Sequence, residues 1–139
     1  MLKRQLSNPL QRIVSKDFDL SFRRHPSTGK LLVKKGDDAI KQGLKNLVLT
    51  NRHERPFRPE FGGDVRKRLF DNFTSVSSLD YGIQIETAIG NYEPRAILDP
   101  YSVRVIATPD QNKLAITISF RSAISLSDST IDVNLNRVR

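Results

Sequence analysis

The stretch YSVRVIATPDQNKLAITISFRSAISLSDSTIDVNLN, residues 101–136, decides the fold. Apolar residues occupy every second position in three separate segments of it, a period typical of half-buried strands. These positions are Tyr101, Val103, Val105 and Ala107; Leu114, Ile116, Ile118 and Phe120; and Ile131, Val133 and Leu135. Residues 109–112 supply a turn between the first two segments, and the serine-rich residues 125–129 separate the last segment as a linker. The pattern predicts an antiparallel sheet with one solvated face.

A hairpin and three short helices are predicted before this sheet. Alternation over residues 17–22, followed by turn residues at 25–29, predicts the hairpin. The apolar positions at helical spacing are Ile40, Leu44, Leu47 and Val48; Val65, Leu69 and Phe73; and Leu79, Ile83, Ile85, Ile89 and Tyr92. The residues expected to cap these helices are Asp37 or Asp38, Asp64, and Ser77 or Ser78. Because helices and strands are segregated along the chain, the predicted class is α+β rather than an alternating βαβ fold.

The chain has 139 residues, the length of one domain. Residues 1–16 are basic and show no sustained period, so we interpret them as an N-terminal arm and residues 17–139 as a single domain. Residues 1–70 carry 17 Lys and Arg against 7 Asp and Glu, whereas residues 71–139 carry 6 against 8. The net charge of +8 is therefore the sum of a basic first half and a mildly acidic second half.

The composition excludes several classes of function. Without cysteine, the chain cannot form disulfides, iron-sulfur clusters or cysteine-ligated zinc sites. The longest apolar runs have three residues, far below the roughly 20 of a membrane-spanning helix. His25 and His53 stand 28 residues apart without acidic ligands at metal spacing, and nucleotide-binding glycine motifs are absent. We therefore expect no metal, no cofactor and no membrane partner.

Two alternative functions remain open on composition alone. The basic charge favours a nucleic-acid-binding domain, although the Lys and Arg residues are scattered and no known recognition motif is present. A glycoside hydrolase needs two carboxylic acids about 5 to 9 Å apart. The glutamates that could supply such a pair are Glu54, Glu60, Glu86 and Glu93. Each has an arginine within two residues or lies on an ordinary helix, so ion pairs are the simpler interpretation.

Two motifs suit a protein interface. Residues 52–62, RHERPFRPEFG, combine arginines, glutamates and two phenylalanines in one loop, a composition typical of interface hot spots. The alternative is that Phe57 and Phe61 fix this loop to its own domain. In Tyr92-Glu93-Pro94-Arg95, a rigid proline separates an acid from a base, so that the two side chains present complementary hydrogen-bonding groups.

Taken in order, these segments resemble the contractile-tail baseplate wedge family of small sheath-initiator proteins. That family includes phage tail proteins and the small baseplate subunit of type VI secretion systems, and some members carry a lysozyme label. Glu54-Arg55-Pro56-Phe57 followed by Glu60-Phe61-Gly62 is similar to the family's G-E-R and P-x-F-G motifs, and residues 93–95 match its E-P-R signature. One departure is His53, which stands where the family usually has glycine.

The resemblance implies a non-enzymatic structural protein of the virion tail baseplate, assembled in the host bacterial cytoplasm. Its implied partners are the helical core bundle of larger wedge proteins, the tail sheath protein, and hub or tube-proximal proteins. The sheet would resemble a sheath-type domain, and the strand at 130–138 would be exchanged with sheath subunits. The expected partner-binding residues are Tyr92, Glu93, Pro94 and Arg95; Glu54, Arg55 and Phe57; and Ile131, Val133 and Leu135.

Overall fold

The chain folds as a small two-stranded hairpin, three helices and a four-stranded antiparallel sheet. A computed structural model describes residues 15–69, 74–108 and 113–136. In chain order the elements are β1 (Lys16–Phe18), β2 (Val33–Lys35), α1 (Asp37–Leu49), α2 (Val65–Arg68), α3 (Ser75–Tyr92), β3 (Ala96–Ile97), β4 (Val103–Thr108), β5 (Lys113–Ser122) and β6 (Asp128–Asn136). The predicted α+β class is confirmed.

The central strand of the larger sheet is β5. It pairs with β6 along one side and with β4 and β3 along the other, and every pairing is antiparallel. Ile116 lies opposite both Val105 and Val133, so the alternating apolar side chains of three strands share one face. That face is buried along β5, whereas Ser119 and Arg121 on the other face are exposed. The predicted sheet with one solvated face is therefore confirmed.

The first strand of the sheet starts later than its pattern suggested. β4 begins at Val103, and the assignment of Tyr101 to this strand is wrong. The backbone of Tyr101 has a φ of 62°, in the left-handed region that interrupts an extended strand. Its side chain is exposed as a consequence.

The helices bury one stripe each against the sheet. In α1 the predicted residues Ile40, Leu44, Leu47 and Val48 are all buried. In α3 the buried stripe is Tyr81, Ile85, Ala88 and Ile89, and the prediction of Leu79 and Ile83 as core residues is wrong because both are exposed. Two positions along a helix correspond to about 200° of rotation. A stripe centred on Tyr81 therefore turns Leu79 and Ile83 away from the sheet.

Helix capping differs from the sequence prediction at each helix. Thr74 caps α3, and Ser77 is its reciprocal partner in a capping box rather than the cap itself. The side chain of Asp64 forms no capping bond to α2; it accepts a hydrogen bond from the Arg52 backbone N–H instead. Phe73, predicted to extend the second helix, lies outside the described residues.

Asp37 holds the turn between β5 and β6 instead of capping α1. Its carboxylate accepts hydrogen bonds from the hydroxyls of Ser122, Ser125 and Ser127. The interpretation of residues 125–129 as a separating linker is therefore wrong. Two of its serines are tied to the start of α1, and β6 already begins at Asp128.

The hairpin is present, but its first strand covers Lys16–Phe18, and the prediction that it extends to residue 22 is wrong because residues 20–21 form a turn and Phe22 has a φ of 50°. Lys16 belongs to β1, and the buried Ser15 carbonyl accepts the Gly36 N–H. The boundary placed between residues 16 and 17 therefore falls inside a strand. The remainder of the expected arm, residues 1–14, lies outside the described residues.

Asp37→Asn should destabilise the fold by about 1 to 2 kcal/mol at neutral pH, because three charge-assisted hydrogen bonds are weakened. The hydrogen bonds from Ser122 and then Ser125 hold the pKa of Asp37 below its ordinary value of 3.8. This stabilisation is present above about pH 4 and is lost as the pH falls through the lower folded-state pKa. Denaturant unfolding at several pH values measures it.

The neighbouring Asp38→Asn is the matched control, since Asp38 is exposed on the same helical turn. Equal stability losses for the two variants would show that the serine contacts contribute nothing.

Candidate partner-binding site

The loop at residues 50–63 is held in place by its own polar groups. The Glu54 carboxylate accepts hydrogen bonds from the backbone and side-chain N–H groups of Asn51, at 2.9 and 2.7 Å. These bonds lower the pKa of Glu54. The guanidinium of Arg55 stacks over the Phe61 ring, 3.9 Å from its centroid. Two of the predicted binding residues therefore form internal contacts that shape the loop.

The two phenylalanines of this loop have opposite environments. Phe61 is buried in the core, whereas Phe57 is 97% exposed. The alternative that both rings fix the loop to its domain is therefore correct for Phe61 and wrong for Phe57. Of the two rings, only that of Phe57 is therefore free to contact another molecule.

His53 keeps the backbone geometry expected at a glycine position. Its φ is 69°, in the left-handed region, where histidine is more common than most other side chains. Its N–H donates to the Pro59 carbonyl at 2.8 Å, which closes the loop. His53 thus adopts a backbone conformation that glycine also adopts readily.

The Tyr92-Glu93-Pro94-Arg95 motif forms a two-pronged ion pair at the end of α3. The Glu93 side chain is 9% exposed and the Arg95 side chain is 41% exposed. Arg95 donates from Nε to one carboxylate oxygen and from its terminal nitrogen to the other, the latter at 2.6 Å. This pairing raises the pKa of Arg95. The acid and base predicted to face a partner are thus already paired with each other, while Pro94 is exposed.

A glycine in α1 makes room for this ion pair. A Cβ atom at Gly43 would lie 2.7 Å from Oε2 of Glu93 and 3.7 Å from the Arg95 guanidinium. The 2.7 Å distance is too short for an added methyl group to be accommodated without moving the carboxylate, whereas the 3.7 Å distance is an ordinary van der Waals contact. In the sequence, Gly43 is only a residue of low helix propensity. Its packing role depends on Glu93, fifty residues further along the chain.

An aromatic contact joins the two motifs. The Phe61 and Tyr92 rings meet edge to face, with centroids 5.2 Å apart. The loop that carries Phe57 is therefore packed against the end of α3, next to the segment that carries Arg95. The residues Arg55, Phe57, Tyr92, Pro94 and Arg95 of these two neighbouring segments are here called the motif surface.

Tyr81 is a supporting residue that sequence reasoning missed. It is buried in α3, its hydroxyl donates to the Gly63 carbonyl, and burial raises its pKa. This bond fixes the end of the loop to α3. Its spacing of four residues from Ile85 could have placed Tyr81 on the buried side of α3. The hydrogen-bond partner of its hydroxyl cannot be predicted from this spacing.

The predicted binding residues of the last strand face the protein's own core. Val133 is buried, and Ile131 and Leu135 are half-buried against the core. β6 pairs with β5 over nine residue pairs, from Asp128 to Asn136. These three side chains therefore pack mainly within the protein, Val133 completely and the other two in part, and the strand's free edge is the more accessible part of this strand.

A groove follows that free edge. It has a volume of about 540 Å³ and is lined by Asp19, Leu20, Lys34, Asp38, Lys41, Gln42, Lys45, Asn46, Leu49, Ile131 and Asp132. Neighbouring residues of a strand point to opposite faces. A groove that touches both Ile131 and Asp132 must therefore lie along the edge of β6, with α1 as its other wall.

Three of the four glutamates considered for other chemistries, all except Glu60, form hydrogen bonds within the protein. Within the described residues, no cluster of histidine and carboxylate side chains has a metal-binding arrangement. The Glu86 carboxylate accepts the Val103 N–H at 3.1 Å, and Glu54 and Glu93 are bonded as described above. No helix in the described part of the chain is long and apolar enough to cross a membrane.

Solved structures share this fold. A crystal structure of a candidate tail lysozyme from Geobacter sulfurreducens matches with a TM-score of 0.63 at 21% identity, over 74% of this chain and 92% of that chain. The cryo-EM structure of the six-fold symmetrised anti-feeding prophage baseplate contains a chain that matches with a TM-score of 0.57 at 23% identity, over 90% of this chain and 87% of that one. At these identities the matches show the fold alone.

Sequence comparison gives the family. Residues 34–125 match the family model described as baseplate wedge protein gp25. Baseplate wedge protein gp25 of Enterobacteria phage T4 is 37% identical over 97 residues, which cover 70% of this chain and 71% of that protein. The chain belongs to the gp25 family of baseplate wedge proteins, which confirms the resemblance. The hairpin up to Val33 and the whole of β6 lie outside the matched residues.

Gly43→Ala should destabilise the protein by about 1 to 3 kcal/mol, because the new methyl group displaces a buried, paired carboxylate. Helix propensity alone predicts the opposite sign, a gain of about 0.5 to 1 kcal/mol. Gly90→Ala in α3 is the matched control, since a Cβ there meets no atom within 4 Å. Denaturant unfolding compares the two, and stabilisation by both substitutions would contradict the packing role of Gly43.

Proposed function

We propose that this protein is a non-enzymatic structural wedge component of a virion tail baseplate, and that its motif surface binds a helical bundle formed by larger wedge proteins. The observation that carries the proposal is the edge-to-face contact of Phe61 with Tyr92, which unites the two family motifs in one surface. Assembly of the baseplate in the host bacterial cytoplasm is part of the same proposal.

The chemistry of this surface suits a helical partner. Phe57 offers an exposed apolar anchor, and the exposed part of Arg95 retains donor groups that can reach acidic side chains. The loop is fixed before binding by Glu54, Arg55 and Phe61, so little conformational entropy is lost on association. Arg95→Ala is a poor test of binding, because it leaves the buried Glu93 carboxylate without its partner and so affects folding.

Phe57→Ala should fold as stably as the unsubstituted protein and weaken wedge binding at least about tenfold, corresponding to a hot-spot loss above 1 kcal/mol. Pull-down of the larger wedge proteins by the tagged variant measures binding. The matched control is Ile106→Thr, since Ile106 is also an exposed apolar residue but lies on β4. Unchanged recovery of wedge proteins by Phe57→Ala would remove the loop from the binding surface.

We further propose that β6 templates the first sheath ring by accepting a strand along its free edge. An unpaired strand edge provides a row of N–H and C=O groups to which an extended segment can add. The groove of about 540 Å³ between this edge and α1 offers space beside it. Because β6 carries the buried Val133, addition of a strand is favoured over release of β6 from its own sheet.

A pair of proline substitutions can distinguish the pairing of β6 with β5 from the proposed strand addition at its free edge. Ser129 and Thr130 are neighbours, so one backbone N–H points toward β5 and the other toward the free edge. Of Ser129→Pro and Thr130→Pro, the variant that keeps its unfolding midpoint is the one that modifies only the edge. That variant should enter baseplates but fail to start sheath assembly, as measured by imaging of particles. Normal sheaths on such particles would contradict strand addition.

The two alternative functions make different predictions. A nucleic-acid-binding domain would bind generic duplex with a steep salt dependence. A glycoside hydrolase would clear cell-wall suspensions. Hydrogen bonding of Glu54 lowers its pKa, whereas the general acid of such an enzyme requires a raised one. This opposes a catalytic role for Glu54.

A further inference from the structure

One face of the hairpin combines apolar and basic side chains and carries no acid. Phe18 lies directly opposite Val33, and Lys16 lies opposite Lys35. Leu31, two residues before Val33, lies opposite Arg24. Residues that are opposite each other, or two apart along a strand, share a face. The resulting surface, here called the hairpin face, consists of Lys16, Phe18, Arg24, Leu31, Val33 and Lys35, all of them exposed.

The acids of the hairpin belong to its other face. Asp17 alternates with Lys16 and Phe18, and its carboxylate accepts the side-chain N–H of the buried Gln42 at 3.2 Å. Gln42 also donates to the Phe18 carbonyl at 2.6 Å. These bonds attach the hairpin to α1 and turn the hairpin face outward. Its charge is therefore +3, without compensation from the hairpin itself.

This face is unfavourable for an isolated protein in two respects. Phe18 is 60% exposed, and Leu31 and Val33 beside it are also exposed. Lys16 and Lys35 form a cross-strand pair of like charges, which destabilises a two-stranded sheet. Within the described residues, no ion pair is found for Lys16, Arg24 or Lys35. A bound acidic, partly apolar segment would relieve both costs.

The N-terminal residues of the chain do not have the charge to cover this face. Residues 1–14 contain three basic side chains and neither Asp nor Glu, so they cannot neutralise it. A second copy of the hairpin face would bring like charges together. A lipid surface is disfavoured because interfacial binding scales with buried apolar area, and this face has only three apolar side chains. Aliphatic Leu31 and Val33 also provide no stacking platform for nucleic-acid bases.

We propose that the hairpin face docks an acidic segment of another baseplate protein, one that interleaves apolar side chains with Asp or Glu. Phe18, Leu31 and Val33 take up the apolar side chains, and the cations at the two ends of the face pair with the carboxylates. The surface is separate from the motif surface and, apart from Lys35, precedes the residues that match the family.

Site-specific photocrosslinking in purified particles tests this docking. The variant Phe18→p-benzoylphenylalanine should crosslink to one segment of a baseplate protein, and mass spectrometry should show that this segment has net negative charge and apolar residues. Lys16→Glu combined with Lys35→Glu should lower the crosslink yield at least about tenfold. Exchange of the partner's acids for lysine should restore it. Arg104→Glu combined with Lys113→Glu makes the same change of charge on exposed sheet residues and should leave the yield unchanged.

Ile106→p-benzoylphenylalanine places the same crosslinker at an exposed apolar position of β4 and gives the background yield. A yield at position 18 equal to this background, or crosslinks to a basic segment, to lipid or to nucleic acid, would overturn the proposal. Entry of the protein into baseplates is scored separately by the presence of the Ile106 variant in particles. Failure of the wedge assignment and failure of hairpin docking are therefore distinguishable.

Discussion

The buried carboxylate of Glu93 constrains the middle of this fold. A charged group removed from water requires a partner of opposite charge, and Arg95 provides it across a single proline. The pair needs space in α1, and Gly43 supplies it at a cost in helix propensity. The approach of α1 to the end of α3 is thus set by an ion pair rather than by apolar packing alone. Asp17 of the hairpin adds a further favourable charge near Arg95.

This arrangement separates polar side chains that shape the site from those that can bind. The carboxylates of Glu54 and Glu93 and the guanidinium of Arg55 all have partners within the chain. Their removal would alter the shape of the motif surface before it altered any contact with a partner. Phe57 has the opposite character, because its ring is almost wholly exposed on a loop that the polar contacts hold fixed. The charged side chains of the motifs thus fix the shape of the loop and of the end of α3, and the exposed ring of Phe57 is the group proposed to contact a partner.

The sequence predicts the strands, the first helix and the solvated face of the sheet, because apolar periodicity is a local property of the chain. It fails where a side chain's partner is distant. Asp37 looked like a cap, but its serine partners follow 85 or more positions later. The sequence pattern predicts the wrong buried side of α3, because Tyr81, an amphipathic residue, was not counted among the apolar positions of this helix. The sequence also could not predict that Phe57 is exposed and Phe61 is buried, since both rings occur in one loop of uniform composition.

The uneven charge of the chain is reflected in where its charged side chains lie in the folded protein. The hairpin carries part of the basic half, and its Asp17 bonds to Gln42 of α1, so that Lys16, Arg24 and Lys35 remain on the outer face beside apolar side chains. In the sheet, by contrast, Asp128 and Asp132 on β6 are bonded to Arg121 and Thr117 of β5. These two acids of β6 are thus paired within the sheet, and its strand edge offers backbone groups. Side-chain chemistry at the hairpin and backbone pairing at the sheet edge suit different kinds of segment, so the two proposed partners would not compete for one surface.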